Sequence, residues 1–155
     1  AIRALVERGA DVNRESSGAM TPLAEAALAG TLQAIAALVR NGATPDLVMS
    51  DGGTALMKAA ALNAPEVFRE LVDAGASIDF ITPGGESALF TAAKRGACRS
   101  VAALIRMGAH VHAEAVPGKT ALFAAIENDQ VKALEALVRM APTMDYESTG
   151  GETAL

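Results

Sequence analysis

Three short stretches carry residue types able to do chemistry. Gly118-Lys119-Thr120 reads like the end of a phosphate-binding glycine loop, in which backbone N–H groups and a lysine cradle phosphates. His110 and His112 flank Val111, and an extended chain would send both imidazoles to one side, as metal ligands require. Cys98, the sole cysteine, would act as a nucleophile only beside a base and with a lowered pKa. Each fails on its own surroundings. The first glycine of a phosphate loop would fall where Ala113 stands. No third metal ligand lies near the histidines in sequence. The carboxylates offer no pair with contrasting apolar and polar settings that would separate an acid from a base. The sequence therefore predicts no catalytic residue, no cofactor and no metal, and the chain is not expected to be an enzyme.

Composition narrows the function further. Of 155 residues, 51% are hydrophobic and 20% charged, the balance of a folded, water-soluble protein rather than a disordered one. With no Trp, one Tyr and four Phe, burial must come from closely packed aliphatic side chains, which suits helices in tight contact. A net charge of −5 argues against nucleic acid, whose binding rests on Lys and Arg neutralising phosphates. One cysteine permits no internal disulfide, so an intracellular, cytoplasmic setting is expected. No run of ~18 apolar residues predicts a membrane helix.

The elements that position these residues follow from a fixed period. Thr21, Thr54, Ser87, Thr120 and Thr153 fall 33 residues apart, each followed two residues later by Leu23, Leu56, Leu89, Leu122 or Leu155. The whole of 1–155 is thus one array. It has the second half of a unit at 1–20, whole units at 21–53, 54–86, 87–119 and 120–152, and the start of another at 153–155. Each unit predicts two short helices and an extended turn. The first helix carries paired small residues (Ala26 and Ala27, Ala59 and Ala60, Ala92 and Ala93, then Ala125 and Ile126) that let backbones approach closely. It ends at Gly30, Asn63, Gly96 or Asp129, residue types that tolerate a left-handed reversal. The second helix carries apolar residues at i, i+3 and i+4: Ile35, Leu38, Val39; Phe68, Leu71, Val72; Val101, Leu104, Ile105; Leu134, Leu137, Val138. Pro65 sits near its helix start, where a missing N–H costs nothing. Gly9, Gly42, Gly75 and Gly108 fall where a helix end needs positive φ, and Gly52, Gly85, Gly118 and Gly151 mark the turn into the next unit. In this frame Lys119 and Thr120 belong to an ordinary turn, His110 and His112 take the places of Asp11 and Asn13, and Cys98 shares its column with Leu32, Pro65 and Val131, a site for a small hydrophobe.

A 33-residue unit opening on T-x-L, with Thr21-Pro22-Leu23 and Gly9-Ala10-Asp11-Val12-Asn13 as the closest matches, resembles the ankyrin repeat family over essentially the whole chain. The resemblance implies an all-α solenoid of helix–turn–helix units with short turn or β-hairpin fingers, whose concave face binds another protein as a scaffold or adaptor. It leaves open a regulatory or anchoring module within a larger enzyme, channel or structural assembly, or binding to another part of the parent chain. The chain also departs from the family pattern. The usual His after T-P-L is Ala24, Met57, Phe90 or Phe123, and the usual turn Asp is Ser16, Met49, Thr82, Ala115 or Ser148, which predicts looser fingers. Ala141-Pro142 predicts an irregular last turn.

The same resemblance places a partner against the positions before each Thr or Ser and late in each first helix. These hold the apolar Leu28, Val48, Met49 and Leu62 early in the chain, and Lys94 and Arg95 later, with Glu114, Lys119, Glu127 and Asn128 adding mixed charge; the alternative for Val48 and Met49 is packing under a finger whose turn Pro45 alters. Asn13, with Leu5 and Asp11 before it, resembles a substrate for asparaginyl hydroxylation. Since the chain opens inside a second helix and closes as another unit starts, a stretch of a longer array is expected.

Overall fold

The computed structural model describes residues 4, 7–113 and 119–140. Among the described residues from Pro22 on, eight α-helices alternate in two layers. The first-layer helices are α1 (Pro22–Leu28), α3 (Ala55–Ala61), α5 (Ala88–Lys94) and α7 (Ala121–Glu127). The second-layer helices are α2 (Leu32–Arg40), α4 (Phe68–Asp73, entered through a 3-10 turn at Pro65–Val67), α6 (Cys98–Arg106) and α8 (Val131–Met140). Helices of each layer pack in sequence order, α1 on α3 on α5 on α7, and each pair meets chiefly its neighbours. This is the all-α repeat solenoid expected, and no strand is present among the described residues.

The repeated Thr or Ser is an N-cap. Thr21, Thr54, Ser87 and Thr120 have extended backbones, and each hydroxyl oxygen accepts the N–H of the residue three positions on, at 3.2, 3.4, 3.1 and 3.1 Å. Such a cap contributes about 1 kcal/mol by satisfying an N–H that the helix leaves orphaned. The first helices all end alike. Gly30, Asn63, Gly96 and Asp129 turn left-handed at φ 67°, 58°, 69° and 53°, and the following N–H reaches back to the carbonyls of Ala26, Ala59, Ala92 and Ala125. The reversal closes the orphan carbonyls in a Schellman pattern. The second helices repeat it at Gly42, Gly75 and Gly108.

Burial follows the predicted stripes with one correction. Ile35, Phe68, Val101, Leu71 and Leu104 are fully buried, but the i+4 members Val39, Val72 and Ile105 and the leading Leu134 sit half-buried at the rim, and Val138 is exposed. The small first-helix column is the tightest part of the core: Ala27, Ala60 and Ala93 are 0% exposed, each beneath the next first helix. On α7, where no further helix lies among the described residues, Ile126 at the equivalent position is exposed, as is Phe123 in the column of the buried Ala24, Met57 and Phe90. Ser100 stands among Ala34, Val67 and Ala133 in its column. Its buried hydroxyl has no hydrogen-bond partner among the described residues, an arrangement that costs stability rather than adding it.

Candidate functional site

Two features of each unit define the face opposite the second helices. The first is the finger turn. At Ser16–Met20, Met49–Gly53 and Thr82–Glu86, the N–H of the first residue donates to the carbonyl of the last, at 2.8, 2.9 and 2.9 Å, and the fourth residue donates back to the first. That fourth residue, Ala19, Gly52 or Gly85, has positive φ, the geometry of a three-residue turn closed by a left-handed bulge. Backbone bonds close these three fingers without the family's turn Asp. Only Ala19 bears a cost, about 1–2 kcal/mol for a non-glycine residue in this conformation. Side chains link one finger to the next. Glu15 accepts the N–H and hydroxyl of Ser50 at 2.8 and 2.5 Å, and Lys119 Nζ donates to the Gly84 carbonyl at 3.1 Å.

The second feature is the end of each first helix. The C-cap residue stands immediately before the left-handed reversal, so its side chain projects from the edge of the layer. Ala29, Leu62, Arg95 and Asn128 hold this position and all are exposed. Beside them, Leu28 and Ala61 are half-buried while Lys94 and Glu127 are exposed. Between the second and third units these edges and the fingers enclose a groove of about 320 Å³ lined by Asp51, Lys58, Glu86, Lys94 and Arg95. Lys58 is ion-paired with Asp51, and Lys94 with Glu86 at 2.9 Å. The Lys94 ammonium also lies 5.9 Å from the centre of the Phe90 ring, within cation–π range. Nearer the finger tips, a second depression of about 270 Å³ is lined by Val48, Gly52, Thr82 and Pro83. Asp51 and Glu86 border both.

A family model of ankyrin repeats, in three copies, matches residues 1–82, more than half of the 155. The chain belongs to the ankyrin repeat family. No curated protein matches it.

In this ankyrin array the expected partner-facing residues divide by exposure. Leu62 is 65% exposed, Lys94, Arg95, Lys119, Glu127 and Asn128 are exposed, and Leu28 and Val48 are half-buried. Met49 is not on the surface at all. It is 3% exposed and belongs to the core cluster, because its side chain packs under its turn, as the buried Thr82 in the same column also does while Ser16 there stays exposed. A Met49→Asp change would test the core, not the partner surface. Glu114, Leu5, Gly118 and Ala141-Pro142 lie outside the described residues.

The residues singled out for chemistry have structural tasks. His110 Nδ1 lies 2.5 Å from Asp79 Oδ2 and its N–H donates to Asp79 Oδ1 at 2.8 Å. The Cys98 thiol donates to the Gly96 carbonyl at 3.2 Å. Asn13 is held at both ends of its amide: Oδ1 accepts the Thr44 N–H at 2.8 Å and Nδ2 donates to the Gly42 carbonyl at 3.2 Å. These contacts belong to a column that sequence reading passed over. Asn13, Asp46 and Asp79 are 33 residues apart, and each side chain accepts a backbone N–H, of Thr44, Ser77 or His110, from the following unit. A recurring short polar acceptor at the repeat period was the available signal.

Within that column, burial pushes the Asp46 carboxyl above the usual carboxylate range, although the Ser77 N–H works in the opposite direction. A raised folded-state value means that the folded form holds its proton more tightly. Stability is then greatest below the unfolded-state pKa and falls as pH rises through the folded one. Asp46→Asn keeps the acceptor, as Asn13 does, without the buried charge. It is expected to be at least as stable as the parent at neutral pH and to lose this fall between acid and neutral pH, read from urea midpoints across pH. A neutral-pH loss of about 1 kcal/mol, the worth of a hydrogen bond, would mean that the charged bond to Ser77 outweighs desolvation.

Proposed function

We propose that the chain is a protein–protein interaction scaffold that holds its partner on the concave face formed by the fingers and the first-helix ends, without catalysis of its own. The observation carrying this reading is Leu62. A large apolar side chain 65% exposed at a helix end contributes little to folding, yet it sits at the position where neighbouring units place Ala29, Arg95 and Asn128. The positions that build the solenoid repeat from unit to unit, whereas those that project from it vary, as a surface tailored to one partner requires. Family membership supports an interaction role, and the lone thiol of Cys98 suits an intracellular one.

The test is capture from the native source on the immobilised chain, followed by affinity measurement for each protein retained. Leu62→Asp is expected to weaken binding about tenfold or more, as loss of an apolar anchor does, while Arg106→Glu on the second-helix side leaves it unchanged. Circular dichroism checks that each variant is folded. The reading fails if Arg106→Glu abolishes binding and Leu62→Asp does not.

A further inference from the structure

The groove between the second and third units has a charge left over. Two of its three cations are neutralised within the groove, Lys58 by Asp51 and Lys94 by Glu86. Arg95, exposed on the same groove, meets no carboxylate among the described residues. In a chain of net charge −5 this is a local excess of one positive charge. One unit earlier, the equivalent helix-end position is apolar and open at Leu62. One unit later it is Asn128 beside the exposed Glu127.

We propose that this groove, together with the exposed helix end beside it, recognises a segment of a partner protein that sets a carboxylate on Arg95 and an apolar side chain on Leu62. The inference rests on the concave-face reading and specifies the chemistry of what binds there. A guanidinium presents a planar fork of donors that fits a carboxylate with two parallel bonds. The flanking ion pairs favour a single negative charge over a larger one. A phosphoryl group, with nearly two charges, would meet Asp51 and Glu86 across the same groove. Leu62 offers no polar atom beyond its backbone, so the companion contact is apolar.

Geometry adds a spacing. Leu62 and Arg95 occupy the same position on consecutive first helices, and packed helices lie about 8–10 Å apart. In a partner of extended conformation, at ~3.3 Å per residue, only residues an even number apart share a face, so spacings of two and four, about 7 and 13 Å, bracket this span. A helical partner, at ~1.5 Å per residue, returns to the same face at the seventh residue, about 10.5 Å on. Glu127, one unit further on, then disfavours a second acidic residue at the next interval and favours a basic one.

The experiment is a titration of the isotope-labelled full chain, followed by amide chemical shifts, with blocked peptides in which a leucine precedes a glutamate by two, four or seven positions. Glutamine and lysine versions of each serve as comparisons, together with a peptide whose only carboxylate is its free C-terminus, to separate the two sources of that group. The glutamate peptides are expected to shift residues around Leu62 and Arg95. Arg95→Glu should weaken them about tenfold, as loss of a charge-assisted bond does, and should turn the preference toward the lysine version. The inference is overturned if glutamate, glutamine and lysine peptides bind the first-helix ends equally, a result that leaves the concave-face reading standing. Shifts confined to α6 and α8 would overturn both. No shift up to about 10 mM, well past millimolar affinity, overturns the inference alone.

Discussion

Phe68→Ala is expected to cost about 3–5 kcal/mol, the range for emptying a buried aromatic site. Phe68 is 0% exposed and is among the largest fully buried side chains. It opens α4, which has only six residues and is entered through the 3-10 turn at Pro65–Val67. A helix that short has little stability of its own, so its place in the layer depends on Phe68 together with Val67 and Leu71, both also buried. The equivalent positions hold Ile35, Val101 and Leu134, so the second unit concentrates in one aromatic ring what the others spread over longer helices. Domains have about 5–15 kcal/mol in total, and a solenoid's stability is a sum of unit and interface contributions. The expected loss is therefore local at first. Urea unfolding should broaden or split as the second unit opens, and hydrogen exchange should accelerate in α3 and α4 before α7 and α8. Phe68→Leu, a milder change of shape, should cost less than about 1.5 kcal/mol. A single sharp transition with Phe68→Ala shifted by under about 1 kcal/mol, too little for a buried aromatic, would show that the ring is not the keystone of this unit.

The difference between legible and hidden features in this chain is one of sequence distance. Helices, reversals and the buried stripe depend on residues within about one turn of each other, so the left-handed positions at Gly30, Asn63, Gly96 and Asp129 could be read from residue type and period alone. The acceptor role of Asn13, Asp46 and Asp79 could not, since their N–H partners lie 31 residues on and meet them only after the units stack. Met49 is the opposite case. Its place in a turn left both exposure and packing under the finger open, and the finger folds over it, so that an apolar residue there completes the core. Of the projecting residues, Leu62 and Arg95 were legible as positions. That Lys94 is already matched by Glu86 while Arg95 is not depends on where side chains from two units converge.

Ala93→Ile is expected to cost about 2–3 kcal/mol, from forcing three extra carbons into a filled interior. Ala27, Ala60 and Ala93 are 0% exposed, and α7 packs directly on α5 over Ala93. The penalty falls on one interface, so the fourth unit should detach first. Exchange protection should drop in α7 and α8 while α1 to α4 keep theirs. The chain contains its own control, because Ile126 is the isoleucine of the same column and is 59% exposed. Ile126→Ala touches no closed interface among the described residues and should stay within about 0.5 kcal/mol of the parent. The contrast isolates close helix approach from the intrinsic preference of each residue for helix, which enters the two substitutions with opposite sign and is worth less than about 0.7 kcal/mol. If Ala93→Ile were as mild as Ile126→Ala, the alanine column would be a matter of helix propensity, and the first helices would not be held at their spacing by it.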